Sequence, residues 1–174
     1  MQDIEIYNKS YLIIGGPNTK KSEVSRLLAK KLEYKLINLD REKYSFFNDF
    51  TDYDEEKYYK LIENKGKIRA LNYIHKYEMK HLNYVIDNID KNVVIDFGNT
   101  YLIIDDENII NKIKLFNNIV LLVSKKEIVG ELENKLNRNR LLNDLSTIKV
   151  NIDNKNIDDI VEEIINYKKF KDIL

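Results

Sequence analysis

The sequence of 174 residues predicts a three-layer α/β domain in which helices flank a five-stranded parallel sheet. Short apolar segments that end in small or polar residues alternate with longer segments of helical period, which is typical of consecutive β–α–β units. Two of the apolar segments, residues 93–95 and 119–123, are entirely aliphatic, as strands buried on both faces are. The length suits one hydrophobic core, so we expect a single domain over residues 1–174.

The predicted elements follow in order along the chain. Strands are predicted at residues 11–15, 34–38, 92–96, 118–123 and 147–152. Residues 22–32 and a final helix that includes residues 157–165 each carry an apolar stripe of helical spacing, so both are expected to face the core. A long insertion at about residues 54–90 separates the second and third strands. We expect helices there with a break near Gly66, because glycine commonly follows a helix end.

Composition narrows the classes of function. The 29 acidic residues balance the 29 basic ones, so no uniform field favours nucleic acid or an anionic membrane. No segment approaches the roughly 18 apolar residues that cross a bilayer, the N-terminus has no signal-like stretch, and cysteine is absent, so we expect a cytoplasmic protein. His75 and His81 fall on different faces of a helix, which argues against a metal site built from that pair.

The segment after the first strand carries the strongest chemical signal. It reads Gly15-Gly16-Pro17-Asn18-Thr19-Lys20-Lys21-Ser22 and opens the first long helix. Against the phosphate-binding pattern G-x-x-x-x-G-K-[ST], Gly15, Lys21 and Ser22 match, while Lys20 occupies the second glycine position. In that motif backbone amides and the lysine bind phosphates, and the hydroxyl helps to hold Mg²⁺. We expect Asn18 to tolerate a positive φ and Lys20 to resist it. The alternative is an ordinary strand-to-helix turn.

Further motifs follow this loop in an order that resembles the shikimate kinase group of P-loop small-molecule kinases. They are Ile37-Asn38-Leu39-Asp40, Gly66-Lys67-Ile68-Arg69, Asp96-Phe97-Gly98-Asn99 and Arg138-Asn139-Arg140-Leu141-Leu142. The resemblance implies a P-loop NTPase-type fold, ATP and Mg²⁺ as cofactors, and a small hydroxylated metabolite as phosphate acceptor. A nucleoside monophosphate kinase is a related possibility because Gly15-Gly16-Pro17 resembles the start of that family's loop, although the arginine-rich motifs of that family are missing.

The resemblance also implies a role for individual residues. Lys21 and Asp40 would be catalytic, with Asp40 holding and activating the acceptor hydroxyl. Arg69 would grip a substrate carboxylate, a task suited to a guanidinium group. The nucleotide would be bound by Gly15, Asn18, Thr19, Lys20, Lys21, Ser22 and Arg140, and the acceptor by Asp40, Arg69, Gly98 and Asn99.

The predicted metal ligands are Ser22 and Asp96. Asp96 closes an apolar strand, as the magnesium-binding acid of P-loop proteins does, and it could hold Mg²⁺ directly or through water. An acidic residue that merely begins a turn is the alternative interpretation of Asp96.

Several departures from the family pattern support a second hypothesis. Lys20, Asn38 and Asn99 replace family residues around the phosphates, and residues 143–146 leave little room for the lid expected before the last strand. A catalytically degraded kinase-fold protein, acting as a nucleotide-binding or protein-interaction module, therefore stands beside the active enzyme. In that case an apolar surface on the insertion would contact a protein partner.

Overall fold

The computed structural model describes residues 4–16, 18–98, 101, 104–124 and 140–171. The sheet contains five strands in the order β2-β3-β1-β4-β5, and every neighbouring pair is parallel. The predicted five-stranded parallel sheet flanked by helices is confirmed. The strands are β1 (Tyr11–Gly15), β2 (Lys35–Asn38), β3 (Val93–Asp96), β4 (Asn118–Val123) and β5 (Ile148–Asn151).

Strands β2, β3 and β5 are shorter than predicted, and local hydrogen bonds explain two of the differences. The amide of Tyr34 donates to Ala29 O at 2.9 Å and so belongs to the end of the preceding helix instead of to β2. The hydroxyl of Thr147 accepts from the amide of Ile119 at 3.0 Å and donates to Asn117 O at 2.7 Å. The amide of Thr147 still donates to Ile119 O at 2.9 Å, but the amide of Ile119 pairs with the Thr147 hydroxyl instead of with a backbone carbonyl, and β5 begins at Ile148.

One helix precedes the first strand, and the others lie between the strands or after the last one. The helices are α1 (Ile4–Lys9), α2 (Lys21–Leu32), α3 (Leu39–Phe50), α4 (Glu55–Lys65), α5 (Lys67–Asp87), α6 (Glu107–Ile113), α7 (Arg140–Leu145) and α8 (Ile157–Lys171). Gly66 separates α4 from α5 with a φ of 83°, a conformation that glycine adopts without steric cost. None of the helices in the described part of the chain is long and apolar enough to cross a membrane.

Each face of the sheet is covered by its own hydrophobic cluster. On one face α2 and α8 pack through Val24, Leu28, Ile160 and Ile164. On the other face the cluster draws on α5 and α6 and includes Leu82, Ile86, Ile109 and Ile113. Full burial of one such side chain contributes about 1.5–3 kcal/mol, so these two clusters fix the layers around the sheet.

Helices α3 and α4 pack on the first half of α5, next to the part of α5 that covers the sheet. Phe47 of α3 is fully buried against Ile74 and Tyr77 of α5. By contrast, α4 contains no buried residue and packs mainly on α5. Helix α5 therefore anchors α3 firmly and α4 weakly.

The parallel arrangement brings three strand ends to one edge of the sheet. Gly15 ends β1, Asn38 ends β2 and Asp96 ends β3, and β3 lies between β2 and β1. Ligands of open parallel sheets bind at this carboxyl edge because the loops that follow the strands meet there.

Candidate active site

A cleft of about 520 Å³ opens at the carboxyl edge of the sheet. Three chain segments form it: the loop from β1 to α2, the junction of β2 and α3, and the turn after β3. The structure thus brings together most of the residues that the sequence singles out. The lining residues are Asn18, Thr19, Lys20, Lys21, Ser22, Glu23, Asn38, Asp40 and Gly98.

The loop backbone has two residues in the left-handed region, Asn18 with a φ of 64° and Lys20 with a φ of 57°. Our expectation that Lys20 resists a positive φ is wrong. Its carbonyl accepts from the amides of Glu23 and Val24 at 3.1 and 3.0 Å, and these first hydrogen bonds of α2 hold the residue in place. The side chain of Lys20 is exposed in the cleft. A non-glycine residue in this conformation costs about 1–2 kcal/mol.

The remainder of the loop is closed by side-chain hydrogen bonds to one carbonyl. The buried hydroxyl of Thr19 donates to Gly16 O at 2.7 Å, and the ammonium of Lys21 donates to the same oxygen at 3.1 Å. Gly15 is required beneath them, because a Cβ there would lie 2.8 Å from Thr19 Oγ1 and 2.9 Å from Leu122 O. The loop is thus compact, with Lys21 directed along it.

The carboxylate of Asp96 is fully buried and is hydrogen-bonded to two residues that line the cleft, Ser22 and Asn38. Its Oδ2 accepts hydrogen bonds from Ser22 Oγ at 2.6 Å and from Asn38 Nδ2 at 2.8 Å, and its Oδ1 accepts from the amide of Gly98 at 3.1 Å. Asn38 and Asp96 are directly opposite each other in the pairing of β2 with β3. These three donors satisfy both oxygens of the buried carboxylate.

Asn38 also begins α3. Its Oδ1 accepts from the amide of Arg41 at 2.9 Å, which is the usual contact of a helix N-cap. Because Oδ1 must face that N–H group, the Nδ2 donor must face Asp96, so the two bonds fix the orientation of the amide together.

Asp40, in the first turn of α3, is half-buried at the other side of the cleft. Its Oδ1 lies 3.8 Å from Lys43 Nζ, and Lys43 donates to Glu78 Oε1 of α5 at 3.1 Å. The side chains of Lys43 and Glu78 are only 6% and 5% exposed, so this ion pair is internal. Gly98, with a φ of 64°, keeps room for Asp40, since a Cβ there would lie 2.2 Å from Asp40 Oδ2.

Sequence reasoning missed Lys43 and Glu78. A signal for Glu78 was present, because it shares the helical stripe of the apolar residues Ile74 and Leu82, and an acid on a buried stripe normally has a cationic partner. Lys43 carried only a weak signal, its position three residues after Asp40. Nothing in the sequence shows that α3 and α5 pack together.

Behind this pair lies a neutral histidine. His81 is buried, and its Nδ1 lies 2.6 Å from the hydroxyl of Tyr101. Burial, with the nearby charge of Lys43, lowers the pKa of His81 to about 4. Burial also raises the pKa of Tyr101, so both side chains are neutral near pH 7. His75 lies elsewhere on α5 and contacts Asp105 at 3.0 Å.

Five predicted residues are not among those that line the cleft in the described part of the structure. Gly15 and Asp96 are buried next to residues that line it. Arg69 is exposed in the first turn of α5 and does not line the cleft. Asn99 lies outside the described residues. Arg140 begins α7, but the position of its side chain is not described. Residues 143–146, where the sequence left little room for a lid, include the end of α7 and lead into β5, while residues 125–139 lie outside the described residues.

The strand order and the loop between β1 and α2 define a P-loop kinase fold. Shikimate kinase from Aquifex aeolicus has a TM-score of 0.66 with this chain at 22% identity, over 94% of this chain and 98% of that one. Shikimate kinase from Acinetobacter baumannii, solved in complex with shikimate, has a TM-score of 0.65 with this chain at 16% identity, over 97% of this chain and 98% of that one.

A third solved structure extends the similarity to another kinase. Dephospho-CoA kinase from Campylobacter jejuni gives a TM-score of 0.50 at 14% identity, over 92% of this chain and 96% of that one. No protein-family model matches the sequence. No curated protein matches it either. The similarity therefore defines the fold, a small-molecule kinase fold.

Proposed function

We propose that the protein transfers a phosphoryl group from ATP to a hydroxyl group of a small metabolite. The observation that carries this proposal is the composition of the cleft, where a phosphate-binding type of loop and the carboxylate of Asp40 line the same cavity. In the reaction the acceptor oxygen forms a bond to phosphorus, the bond to the ADP oxygen breaks, and the hydroxyl proton passes to Asp40.

Nucleotide binding is assigned to the loop from Gly15 to Ser22. The positive φ values at Asn18 and Lys20 interrupt the right-handed backbone, as in the concave amide arrangements that bind anions. Lys20 and Lys21 add two positive charges at the cleft, and the amino end of α2 adds a favourable dipole. Arg140 remains a predicted contact at the side of the nucleotide.

Mg²⁺ fits the oxygen atoms that this site offers. Ser22 contributes a hydroxyl and Asp96 a carboxylate, and protein sites for Mg²⁺ commonly combine one or two carboxylates with water and substrate phosphates. When bound, the cation supplies positive charge that neutralises the phosphate oxygens.

Acceptor binding is assigned to Asp40 and its surroundings. Lys43 Nζ lies 3.8 Å from Asp40 Oδ1, and this contact helps to hold the carboxylate in place at the cleft. Gly98 leaves the space that the Asp40 carboxylate occupies, while Asn99 and Arg69 remain predicted contacts. For Arg69 this role requires that its exposed side chain turn towards the cleft.

A transfer assay tests the proposal. The protein is mixed with Mg²⁺ and ATP labelled at the γ-phosphate, and a panel of hydroxylated metabolites is screened for labelled product. Lys21→Met and Asp40→Asn should each lower the rate with the best acceptor by about 100-fold, because each removes charge at the reacting groups. Lys67→Met, an exposed change at the start of α5, is the matched control. Transfer that survives both cleft variants, or no transfer to any acceptor, would contradict the proposal.

A degraded kinase-fold protein is the second candidate, because Lys20 and Asn38 line the cleft itself and Arg69 lies outside it. It would bind nucleotide or a protein partner without catalysing transfer. Calorimetry with ATP, in the presence and absence of Mg²⁺, separates the candidates when combined with the transfer assay. Binding that Lys21→Met weakens, without transfer to any acceptor, would favour a nucleotide-binding module.

A further inference from the structure

The side-chain amide of Asn38 lines the cleft and faces the carboxylate of Asp96. A second carboxylate in place of this amide would make a cation site. Asn38 and Asp96 are direct partners across parallel strands, and Asn38 Nδ2 lies 2.8 Å from Asp96 Oδ2. Two carboxylates at this separation would repel each other unless a proton or a cation lay between them. The amide of Asn38 instead presents an N–H donor to the carboxylate.

The orientation of that amide cannot reverse without cost. A flipped Asn38 would direct its NH₂ group at the amide of Arg41 and its oxygen at Asp96, so both hydrogen bonds would become repulsive contacts. The N-cap of α3 therefore holds a hydrogen-bond donor against Asp96.

Two other donors also bind Asp96. Ser22 Oγ and the amide of Gly98 bind the same buried carboxylate, so it is stabilised by three hydrogen bonds. Because Asp96 is fully buried, a cation that approached the free protein would have to move at least part of this hydrogen-bonded group to reach the carboxylate. It would gain only one carboxylate in return, and affinity for hard cations rises with the number of anionic ligands.

We propose that the amide of Asn38 takes the place of a divalent cation in the free protein, so that the site admits the cation only together with nucleotide phosphates. The statement about the free protein stands on the contacts of Asp96 alone. The entry of the cation with phosphates rests on the proposed function.

Cation binding without nucleotide tests the first statement directly. Mn²⁺ replaces Mg²⁺ as the probe, and the electron paramagnetic resonance signal of free Mn²⁺ is titrated against protein. The native chain should show no saturable binding at millimolar Mn²⁺. Asn38→Asp should bind Mn²⁺ at least about tenfold more tightly, because it adds a carboxylate opposite Asp96.

Two further variants control for charge and for geometry. Asn64→Asp adds the same charge on the exposed face of α4 and should not bind Mn²⁺. The exchange variant, Asn38→Asp with Asp96→Asn, restores one amide and one carboxylate in the opposite order and should lose the binding that Asn38→Asp gains. Saturable Mn²⁺ binding by the free native chain, as tight as that of Asn38→Asp, would overturn the proposal.

Thermal unfolding gives a readout that does not depend on catalysis. At pH 7 without divalent cation, Asn38→Asp should melt about 2–4 °C below the native chain because of the opposed carboxylates. Mg²⁺ should restore its melting temperature while leaving the native chain and the exchange variant unchanged. If Asn38→Asp does not fold alone, Mg²⁺ should rescue folding; failure to fold with the cation would contradict the proposal.

A last titration, with ATP present, distinguishes this proposal from the proposed function. ATP should allow the native chain to bind Mn²⁺ as part of the ternary complex, beyond the Mn²⁺ that free ATP binds in a protein-free control. No ternary complex would count against the proposed function and against entry of the cation with phosphates. Binding by the free native chain would count against the Asn38 proposal alone.

Discussion

Lys20 combines a costly backbone conformation with a useful position. Its φ of 57° and ψ of 24° are those of a left-handed residue, and its side chain lies in the cleft. Glu33 at the other end of α2 has nearly the same backbone, with a φ of 58° and a ψ of 34°, but does not line the cleft. A comparison of variants at the two residues can therefore separate the effect of backbone strain from any contribution to anion binding.

Lys20→Gly should stabilise the fold and weaken ATP binding. Removing the side chain relieves about 1 kcal/mol of strain, part of which the greater freedom of glycine in the unfolded chain offsets. Loss of an exposed cation should lower ATP affinity by about two- to fivefold at low salt and reduce its salt dependence. Urea unfolding and calorimetry measure the two effects.

Glu33→Gly is the matched control for this prediction. It relieves similar strain and should raise stability by a comparable amount without changing ATP affinity. An unchanged affinity and salt dependence in Lys20→Gly would show that Lys20 makes no contact with the nucleotide.

At the scale of elements, α3 connects the sheet edge to α5. It begins at the Asn38 cap, presents Asp40 to the cleft, and is held through Phe47 and through the pair of Lys43 with Glu78. An internal ion pair contributes little net stability, but loss of one partner leaves an uncompensated charge. The pair therefore fixes how α3 lies on α5, and with it the position of Asp40.

Glu78→Gln should destabilise the protein by about 3 kcal/mol, because it leaves Lys43 buried without its nearer carboxylate. Lys43→Met should be costly in the same way, whereas the double variant should recover much of the loss. Urea unfolding of the four proteins gives the coupling energy. Glu63→Gln, an exposed change on α4, is the control and should stay within about 0.5 kcal/mol. Single variants that behave like this control would contradict the assigned pair.

The helices around the site differ in how well the sequence pattern predicts them. Helix α5 and the break at Gly66 could be predicted because apolar spacing and a glycine mark them. Helix α3 was not predicted, since aromatic residues such as Tyr44, Phe46 and Phe47 occur on several of its faces and obscure the helical period. Its start was nevertheless encoded, because Asn38 is a favoured N-cap residue.

At the scale of the whole molecule, the sheet order decides which residues meet. The ends of the first four strands could be predicted from their apolar segments, and parallel pairing then places Gly15, Asn38 and Asp96 at one edge. The contacts between helices could not be predicted, because they depend on which side chains fill the space between layers. The pair of Lys43 with Glu78 and the burial of His81 belong to this second class.

Stability should fall on acidification through a buried histidine. The pKa of His81 is about 4 in the folded protein and about 6.5 in the unfolded chain, so the unfolded chain binds more protons between these values. Stability is complete above about pH 6.5 and is lost as the pH falls towards 4, by up to about 3 kcal/mol.

Urea unfolding across that range should therefore show a smaller pH dependence in His81→Gln than in the native chain. His75→Gln is the control, because His75 is only partly buried and contacts Asp105. The His75→Gln variant should keep the acid-induced loss of stability of the native chain. An equal pH dependence in His81→Gln and the native chain would contradict the assignment.

The direct pairing of Asn38 with Asp96 also bears on how such a site can change during evolution. Codons for asparagine and aspartate differ by a single nucleotide, and aspartate is equally suited to begin α3. One point mutation could therefore convert a strand pair that does not bind a cation into one that a cation stabilises, while the helix cap stays intact. Descendants of such a chain could alternate between asparagine and aspartate at this position without passing through a sequence that fails to fold.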